Sequence, residues 1–286
     1  MDGTQTKVEE HAALEKEARL KDLIAGYGQI ALAYSGGVDS TYLADVAHEV
    51  LGPRARLVIA DTPSIPRSEL AAATALARER HWNLMVIHPK EFENEAFLRN
   101  ERDRCYVCKA ELFSHMKRYA VEQGIPVIAY GETADDAFDL SRYGKVAAQE
   151  YAVAAPLQSA GMKKDEIRFL SRRRGLPTWD KPSFACLSSR FPVGTRLTPA
   201  ELSKVERAEE ALKALGFRQY RARHHGSLCR LEVDPADFPR VLEPQLRARL
   251  LDELTAAGYR YVTLDLAGYR TGSTAEPPPP AESAES

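Results

Sequence analysis

Apolar runs alternate with amphipathic helical segments through the first half of the chain. Four runs of strand length, rich in Ile, Val, Leu and Ala, cover residues 30–34, 56–61, 83–87 and 126–130. Apolar positions at helical spacing flank them and predict helices over residues 11–27, 41–47, 67–80 and 109–123. Strands that alternate with helices in this way predict βαβ units and an α/β fold with a doubly wound parallel sheet. Ligands of such folds bind beyond the carboxyl ends of the strands.

The pattern changes near residues 177–182, where two prolines and a polar turn predict a domain boundary. A helix is predicted over 201–215, because Thr198-Pro199 supplies a cap and a first-turn proline and Gly216 stops it. Beyond it we expect paired strands across a turn, a helix and a last strand, which together form a smaller C-terminal α+β domain. These elements are predicted at 217–223, 229–233, 244–257 and 260–266, with the turn at 224–226.

The predicted domains therefore cover residues 1–178 and 179–273. Residues 274–286 consist almost only of Ala, Glu, Pro and Ser, which predicts a disordered tail. His224 and His225 directly precede a glycine, so we expect an exposed polar loop there.

The hexapeptide Ser35-Gly36-Gly37-Val38-Asp39-Ser40 follows the first predicted strand and leads into a helix. Glycines let backbone N–H groups approach an anion, and the helix directs its positive end to the same point. The serine hydroxyls add donors, and Asp39 can hold a magnesium ion on phosphates. An ordinary glycine-rich turn is the alternative, but the whole hexapeptide in this setting favours a phosphate site. It lacks the Gly-Lys-Ser/Thr ending of a P-loop and resembles the PP-loop of ATP pyrophosphatases.

Asp61 and Gly131 stand at the ends of two other predicted strands, so we expect them beside this loop at the nucleotide. The chain has 286 residues, 44% hydrophobic and 28% charged, with a formal net charge of −2. This composition is ordinary for a globular protein and gives no overall electrostatic footprint for nucleic acid. The acidic start predicts no signal peptide, and no apolar run is long enough to span a membrane. We therefore predict a cytoplasmic protein.

The four cysteines fit a reducing compartment, where clustered cysteines more often bind metals or react than form disulfides. Cys105 and Cys108 form a C-x-x-C at the start of a predicted helix, which is typical of a reactive thiolate, half of a zinc site, or chance. Cys186 stands beside Ser188, Ser189 and Arg190, or is a small buried filler. Three cysteines also form an incomplete ligand set for a [4Fe–4S] cluster. Cys229 lies in a strand pattern and is interpreted as structural.

Several segments together resemble the LarE family. Its members are ATP-dependent sulfurtransferases of the PP-loop superfamily that act on pyridinium-3,5-biscarboxylic acid mononucleotide. The resemblance covers nearly the whole chain except its two ends. It rests on the hexapeptide at 35–40, Gly-Glu-Thr-Ala-Asp-Asp at 131–136, Trp-Asp-Lys-Pro at 179–182, Cys-Leu-Ser-Ser-Arg at 186–190, and 265–273. Two departures are Thr133, where the family commonly has Asn, and Arg142-Tyr143-Gly144, where it has Arg-Pro-Gly.

The resemblance implies a two-stage reaction. ATP adenylates a substrate carboxylate with release of pyrophosphate, Asp39 holds Mg²⁺ and Lys109 neutralises charge on the transferred phosphate. A sulfur nucleophile then displaces AMP and leaves a thiocarboxylate, a precursor of the nickel-pincer nucleotide of lactate racemase. In one branch of the family the cysteine that matches Cys186 gives up its own sulfur and becomes dehydroalanine. In the other, three cysteines hold a [4Fe–4S] cluster that carries exogenous sulfide. Cys105 and Cys108 beside Cys186 favour the cluster branch.

The implied substrate carries two carboxylates and a phosphate, which arginine forks bind well. The candidates in or beside the family motifs are Arg190, Arg221, Arg223 and Arg270, with Glu209 and Glu232 to orient them or to bind magnesium. The alternative for any one of these charges is a solvated face. The resemblance also implies a homo-oligomer, such as a hexamer, and a separate sulfide donor.

Two other functions remain open at this point. A tRNA-thiolating PP-loop enzyme would use the same activation and the same cysteines, but it needs a basic surface that the charge balance does not indicate. A non-catalytic iron–sulfur or zinc protein could use a nucleotide only as a ligand, although the intact hexapeptide argues against it.

Overall fold

The computed structural model describes residues 3–138, 143–182 and 185–270. Within them, residues up to 97 and from 103 to 182 form one compact unit, and residues 98–102 with 185–270 form another. The predicted tail at 274–286, Arg142 and the end of the motif at 265–273 lie outside the described residues. No described helix is both long and apolar enough to cross a bilayer.

A four-stranded parallel sheet forms the first unit's centre, in the order β3-β2-β1-β4. Its strands are β1 (Ile30–Ala33), β2 (Ala55–Ala60), β3 (Asn83–Ile87) and β4 (Val127–Ala129). The helices described in this unit are α1 (Gly3–Tyr27), α2 (Val38–Leu51), α3 (Arg67–Glu79), α4 (Glu95–Leu98), α5 (Arg104–Glu122), α6 (Tyr143–Glu150), α7 (Pro156–Ser159) and α8 (Lys164–Arg173).

Helices cover both faces of this sheet because side chains of a strand alternate between its faces. Ile30 and Leu32 of β1 belong to an apolar cluster built with helices α1 and α2. Ala31, between them, belongs to a second cluster with Phe113 and Met116 of α5. The doubly wound parallel sheet predicted from the sequence is therefore confirmed.

The second unit has a three-stranded sheet in the order β5-β6-β7. Strands β5 (Tyr220–His225) and β6 (Leu228–Val233) are antiparallel, and β7 (Tyr261–Leu264) is parallel to β6. Helices α9 (Pro199–Ala214), α10 (Phe238–Leu242) and α11 (Pro244–Ala256) accompany the sheet. Thr198 caps α9 by accepting a hydrogen bond from the amide of Glu201 at 3.2 Å, as its sequence predicts.

The segment at residues 179–182 lies in the first unit. Arg168 of α8 donates to the carbonyl of Trp179 at 2.8 Å and to that of Lys181 at 2.7 Å. The compact units thus divide a few residues after the predicted boundary at 178. The short helices between residues 143 and 173 were not expected from the sequence.

The prediction that His224 lies in an exposed loop is wrong. The strand continues through His225, so the turn falls at Gly226 and Ser227. His224 is buried, with its ring 4.7 Å from that of Phe191 and its Nδ1 3.2 Å from the Tyr259 hydroxyl. Its side chain completes an aromatic cluster beneath the sheet.

Candidate functional site

The hexapeptide between β1 and α2 is held closed by its own serines. The Ser35 and Ser40 hydroxyls lie 2.9 Å apart, and the Ser40 hydroxyl also accepts the Ser35 amide at 3.2 Å. Ser40 donates in turn to the Gly37 carbonyl at 3.3 Å. Gly37 is the residue before the first turn of α2, so the positive end of that helix lies at the loop.

Two glycines let neighbouring elements approach the loop. Gly36 adopts a φ of +71°, and a Cβ added there would lie 2.6 Å from the Cβ of Ala73 on α3. Gly131 follows β4, and a Cβ there would lie 3.1 Å from the backbone of Ser40. The Ala73 side chain and the Ser40 backbone therefore fill the space that a side chain at these two positions would need.

A cavity of about 260 Å³ opens beside this loop. Asp39 and Ser40 line it together with Lys109 of α5. Its remaining walls are largely apolar or backbone: Ala33, Tyr34, Ser35, Gly37, Val58, Ala60, Ile65, Leu112, Phe113, Tyr130 and Gly131. An anion cradle, one ammonium group, one carboxylate and an apolar wall suit a nucleoside phosphate with its metal.

Lys109 is positioned by two close neighbours. Its Nζ lies 5.0 Å from the centre of the Tyr130 ring, within the range of a cation–π contact. Its Cδ passes so close to Gly144 that a Cβ on that glycine would lie 2.6 Å away. Gly144 thus leaves room for the lysine to reach the cavity, a relationship that the sequence spacing does not reveal.

Asp61 is engaged by a neighbouring arginine. Its amide continues the sheet by donating to the Ile87 carbonyl at 2.8 Å, as expected for the end of β2. Its carboxylate pairs with Arg67, which also donates to the carbonyls of Thr62 and Ile65. Asp61 therefore fixes the chain that follows β2, while Ala60 and Ile65 on either side reach the cavity wall.

The segment after Gly131 is also tightly paired. Thr133 donates its amide and hydroxyl to one oxygen of Asp136, at 3.2 and 2.9 Å. Lys145 lies 3.3 Å from the buried Glu132, and Lys164 lies 3.3 Å from Asp136. The threonine that departs from the family pattern thus makes its own closing hydrogen bonds.

The two cysteines of the C-x-x-C lie in the first two turns of α5 in the first unit. Residues three apart on a helix share a face. Cys105 is exposed, with the Arg104 guanidinium 3.8 Å from its sulfur, and Cys108 is half-buried. Thiolates are the ligands that iron–sulfur clusters require, so the donor chemistry fits. Among the described residues, no three or more His, Cys, Asp or Glu side chains already stand in a metal-holding group.

Cys186 lies in the second unit, immediately before a short 3₁₀ turn at Leu187–Arg190. Its carbonyl accepts hydrogen bonds from the Ser189 amide at 3.0 Å, the Ser189 hydroxyl at 2.8 Å and Arg190 at 3.0 Å. These contacts fix the cysteine backbone, and its side chain is half-buried.

Arg190 is completely buried, and its guanidinium group is paired with a carboxylate. Nε and Nη2 each donate to an oxygen of Glu209 at 2.8 Å, and Nη1 donates to the Ala185 carbonyl at 2.6 Å. Sequence reasoning assigned this fork to the substrate, whereas in the structure it connects the Cys186 turn to α9. Glu209 orients Arg190, which is one of the two roles expected for it.

Glu232 likewise pairs with Arg223, at 2.8 Å, and both side chains are buried. Arg223 also donates to the Ser189 carbonyl at 2.8 Å, so it supports the Cys186 turn from β5. Glu232 lies 3.1 Å from Arg230, which sequence reasoning missed because nothing in its local pattern marks it.

Arg221 adds a buried positive charge to this region. It donates to the Tyr269 hydroxyl at 3.2 Å, and its guanidinium lies 4.9 Å from the centre of that ring. Burial, and then the charge of Arg190, lower the pKa of Arg221 below its ordinary value. Arg270 follows Tyr269 and is exposed. The second unit thus has several arginines near the Cys186 turn, of which Arg190 and Arg223 are paired with Glu209 and Glu232.

Cys229 is buried in β6, as the strand pattern predicted. Burial raises the pKa of its thiol to about 12, so it remains protonated at neutral pH. Its environment is that of a structural residue.

No family model matches the chain, but curated proteins do. The chain is 33% identical over 256 residues to pyridinium-3,5-bisthiocarboxylic acid mononucleotide synthase of Lactiplantibacillus plantarum, covering 89% of this chain and 90% of that protein. It is 38% identical over 259 residues to the uncharacterized protein slr1717 of Synechocystis sp., covering 90% and 96%. Identity to the uncharacterized protein MJ0830 of Methanocaldococcus jannaschii is 25% over 85% of this chain and 91% of that protein.

Proposed function

This chain belongs to the LarE family, and on that premise we propose that it adenylates a carboxylate of pyridinium-3,5-biscarboxylic acid mononucleotide and converts it into a thiocarboxylate. The observation that carries the proposal is the hexapeptide loop with the cavity beside it, where Asp39, Ser40 and Lys109 converge. The full-length similarity to a synthase of the bisthiocarboxylic product supports the choice of substrate.

In the first stage a substrate carboxylate oxygen attacks the α-phosphorus of ATP, and pyrophosphate leaves. The backbone amides and serine hydroxyls of the loop bind the departing pyrophosphate at the α2 N-terminus. Asp39 would hold Mg²⁺, which neutralises phosphate charge, and the Lys109 ammonium stabilises charge on the transferred group. The step is needed because a free carboxylate is a poor electrophile, whereas AMP is a good leaving group.

In the second stage a sulfur nucleophile attacks the acyl carbon and displaces AMP. If Cys186 is the donor, its thiolate forms a thioester. Loss of the Cys186 Cα proton with cleavage of its Cβ–S bond then leaves a thiocarboxylate and dehydroalanine. The Cys186 carbonyl accepts hydrogen bonds from Ser189 and Arg190, which hold the turn that bears this thiol.

We propose the cluster-borne route as the form of sulfur delivery, with Cys105, Cys108 and Cys186 as the thiolate ligands. These three thiolates would hold a [4Fe–4S] cluster, which would supply a site for exogenous sulfide from a separate donor. The C-x-x-C on one face of α5 supports this choice, since the sacrificial route does not use it.

The anionic substrate would be bound by arginines of the second unit. Arg221 and Arg270 are the proposed fork donors, and the Glu232–Arg223 and Glu209–Arg190 pairs position the turn that bears Cys186. The same premise leads us to propose a cytoplasmic homo-oligomer, such as a hexamer, whose state light scattering measures.

Pyrophosphate release with the pyridinium mononucleotide and Mg·ATP tests the proposal, together with mass spectrometry of the product. We expect pyrophosphate release and exchange of one carboxylate oxygen for sulfur. Asp39→Ala should reduce release at least about a hundredfold, because several kcal/mol of charge stabilisation is lost. Asp22→Asn, exposed on α1, is the matched control. Release that requires tRNA instead of the mononucleotide would contradict the proposal.

A further inference from the structure

Lys181 makes a direct contact with the phosphate loop. Its Nζ donates to the Gly36 carbonyl at 2.9 Å and lies 2.5 Å from a carboxylate oxygen of Glu69 on α3. Its own carbonyl accepts Arg168 at 2.7 Å, so the lysine is held at both its backbone and its side chain. Sequence reasoning placed Lys181 in a family motif without a role.

The contact with Gly36 also fixes the direction of the next amide. In a trans peptide the C=O of one residue and the N–H of the following residue point in opposite directions across one plane. Holding the Gly36 carbonyl toward Lys181 therefore directs the Gly37 N–H away from it. Gly37 lines the cavity, and among the described residues its amide makes a single long hydrogen bond, 3.4 Å, to the Ser35 hydroxyl. That amide is an available donor for an anion.

Gly36 needs such an external restraint. With its φ of +71° and no side chain, it can rotate its peptide plane more freely than any other residue could. The serines restrain Gly37 and Ser40, but within the described residues the side-chain hydrogen bond to the Gly36 carbonyl comes from Lys181.

Lys181 is paired with Glu69, so its charge is neutralised by a carboxylate and we expect it to position the loop instead of contacting phosphate directly. The carboxylate lies in the first turn of α3, where the helix dipole stabilises a negative charge. It neutralises the ammonium group, and both side chains are mostly buried.

We propose that Lys181 is a positioning residue for pyrophosphate binding and acts through the Gly36–Gly37 peptide plane. The proposal rests on the proposed function, because it assumes that the loop binds the phosphates of ATP. Lys181 should therefore affect the binding of phosphates and not the binding of the adenosine part of the nucleotide.

The test compares Lys181→Met and Lys181→Arg with wild type, using inorganic pyrophosphate and adenosine as separate probes in calorimetric titrations. Losing a charged hydrogen bond that orients the donor should weaken pyrophosphate binding about tenfold in Lys181→Met, while adenosine binding stays within about twofold. Lys181→Arg should recover part of the loss. Lys21→Met is the control, since Lys21 forms an exposed pair with Glu49 away from the loop.

Hydrogen exchange of the ligand-free protein gives a readout that does not depend on the assigned substrate. Amides of residues 36–40 should exchange faster in Lys181→Met, whereas those of β2 should not change. Unchanged exchange in the loop, or equal losses for both probes, would overturn the role of Lys181. If wild type bound no pyrophosphate while exchange in the loop still rose, the proposed function would fail and the restraint by Lys181 would stand.

Discussion

Arg190 and Glu209 form a two-point contact, with both N–H···O distances at 2.8 Å, inside the second unit. The pair joins the turn that carries Cys186 to helix α9, and Glu209 also accepts the Ala222 amide at 3.1 Å. A residue chosen from sequence for substrate binding is thus occupied in holding the candidate sulfur site in place.

Glu209→Gln should therefore act on stability. It leaves the Arg190 charge buried without a carboxylate, so the free energy of unfolding should fall by about 3–5 kcal/mol. Urea denaturation followed by circular dichroism measures this. Glu210→Gln, exposed on the same helix, should change stability by no more than about 0.5 kcal/mol. A Glu209→Gln protein as stable as wild type would show that the pair contributes no net stability.

Gly144→Ala should move Lys109 without unfolding the protein. The new Cβ would lie 2.6 Å from the Cδ of Lys109, and a flexible side chain can shift to avoid it. We expect pyrophosphate release to fall about tenfold, because the ammonium group no longer stabilises charge at its proper position.

Gly26→Ala is the control for this prediction. That glycine lies in α1 with open space around its Cα, so alanine should stabilise the helix by up to about 1 kcal/mol and leave pyrophosphate release unchanged. If Gly144→Ala released pyrophosphate at the wild-type rate, Lys109 would need no fixed position.

Iron and sulfide analysis of anaerobically purified protein separates the two sulfur routes. The cluster route predicts a brown protein that loses its colour and its repeated turnover in Cys105→Ala, Cys108→Ala and Cys186→Ala, but not in Cys229→Ala. The sacrificial route predicts a colourless protein in which the mass at Cys186 falls, after one turnover, by the mass of one molecule of hydrogen sulfide. That outcome would reject the cluster route. A protein that contained no iron and showed no such mass loss would contradict both sulfur routes.

Stability of the second unit should depend on His224 in mildly acidic solution. Burial lowers the pKa of His224, opposed by the Glu201 carboxylate and assisted by the charges of Lys204 and His225. Because its folded-state pKa is below the unfolded value of about 6.5, the unfolded state binds the proton more tightly. The contribution of neutral His224 to the free energy of unfolding is therefore fully present above about pH 6.5 and is lost as the pH decreases below that value.

The measurement is the free energy of unfolding at about pH 7.5 and pH 5.5. His224→Phe should reduce the difference between the two values, whereas His11→Gln, exposed on α1, should not. Burial also lowers the pKa of His225, so part of the pH dependence should remain. An undiminished difference in His224→Phe would assign the whole effect to other groups.

The features that could be predicted from the sequence are those that depend on residues close together in the chain. Strands β1 to β3, the phosphate loop and helix α9 follow from short periodic runs and from turn or capping residues, which act over a few positions. Contacts between distant residues were not predictable in this way. Lys181 meets Gly36 across 145 positions, and Arg190 meets Glu209 across 19, so only the folded chain brings them together.

His224 shows a different reason for an error. A histidine pair before a glycine is typical of a polar turn, but the turn begins directly after the pair, at Gly226. The alternation of β5 then directed His224 inward, toward Phe191 and Tyr259. Strand β5 extends two residues beyond its predicted end at 223, and local sequence does not define the position of a turn that closely.

The near contact between Gly36 and Ala73 limits how this enzyme can be engineered. A single added carbon at position 36 would lie 2.6 Å from the Ala73 methyl carbon, and the φ of +71° at Gly36 would strain any residue with a side chain there. A mutational library of the loop should therefore keep glycine at position 36, because glycine at position 73 would remove the collision but not the backbone strain. Helix α3 thus helps to restrict position 36 of the loop to glycine, through a side chain that lies outside the loop itself.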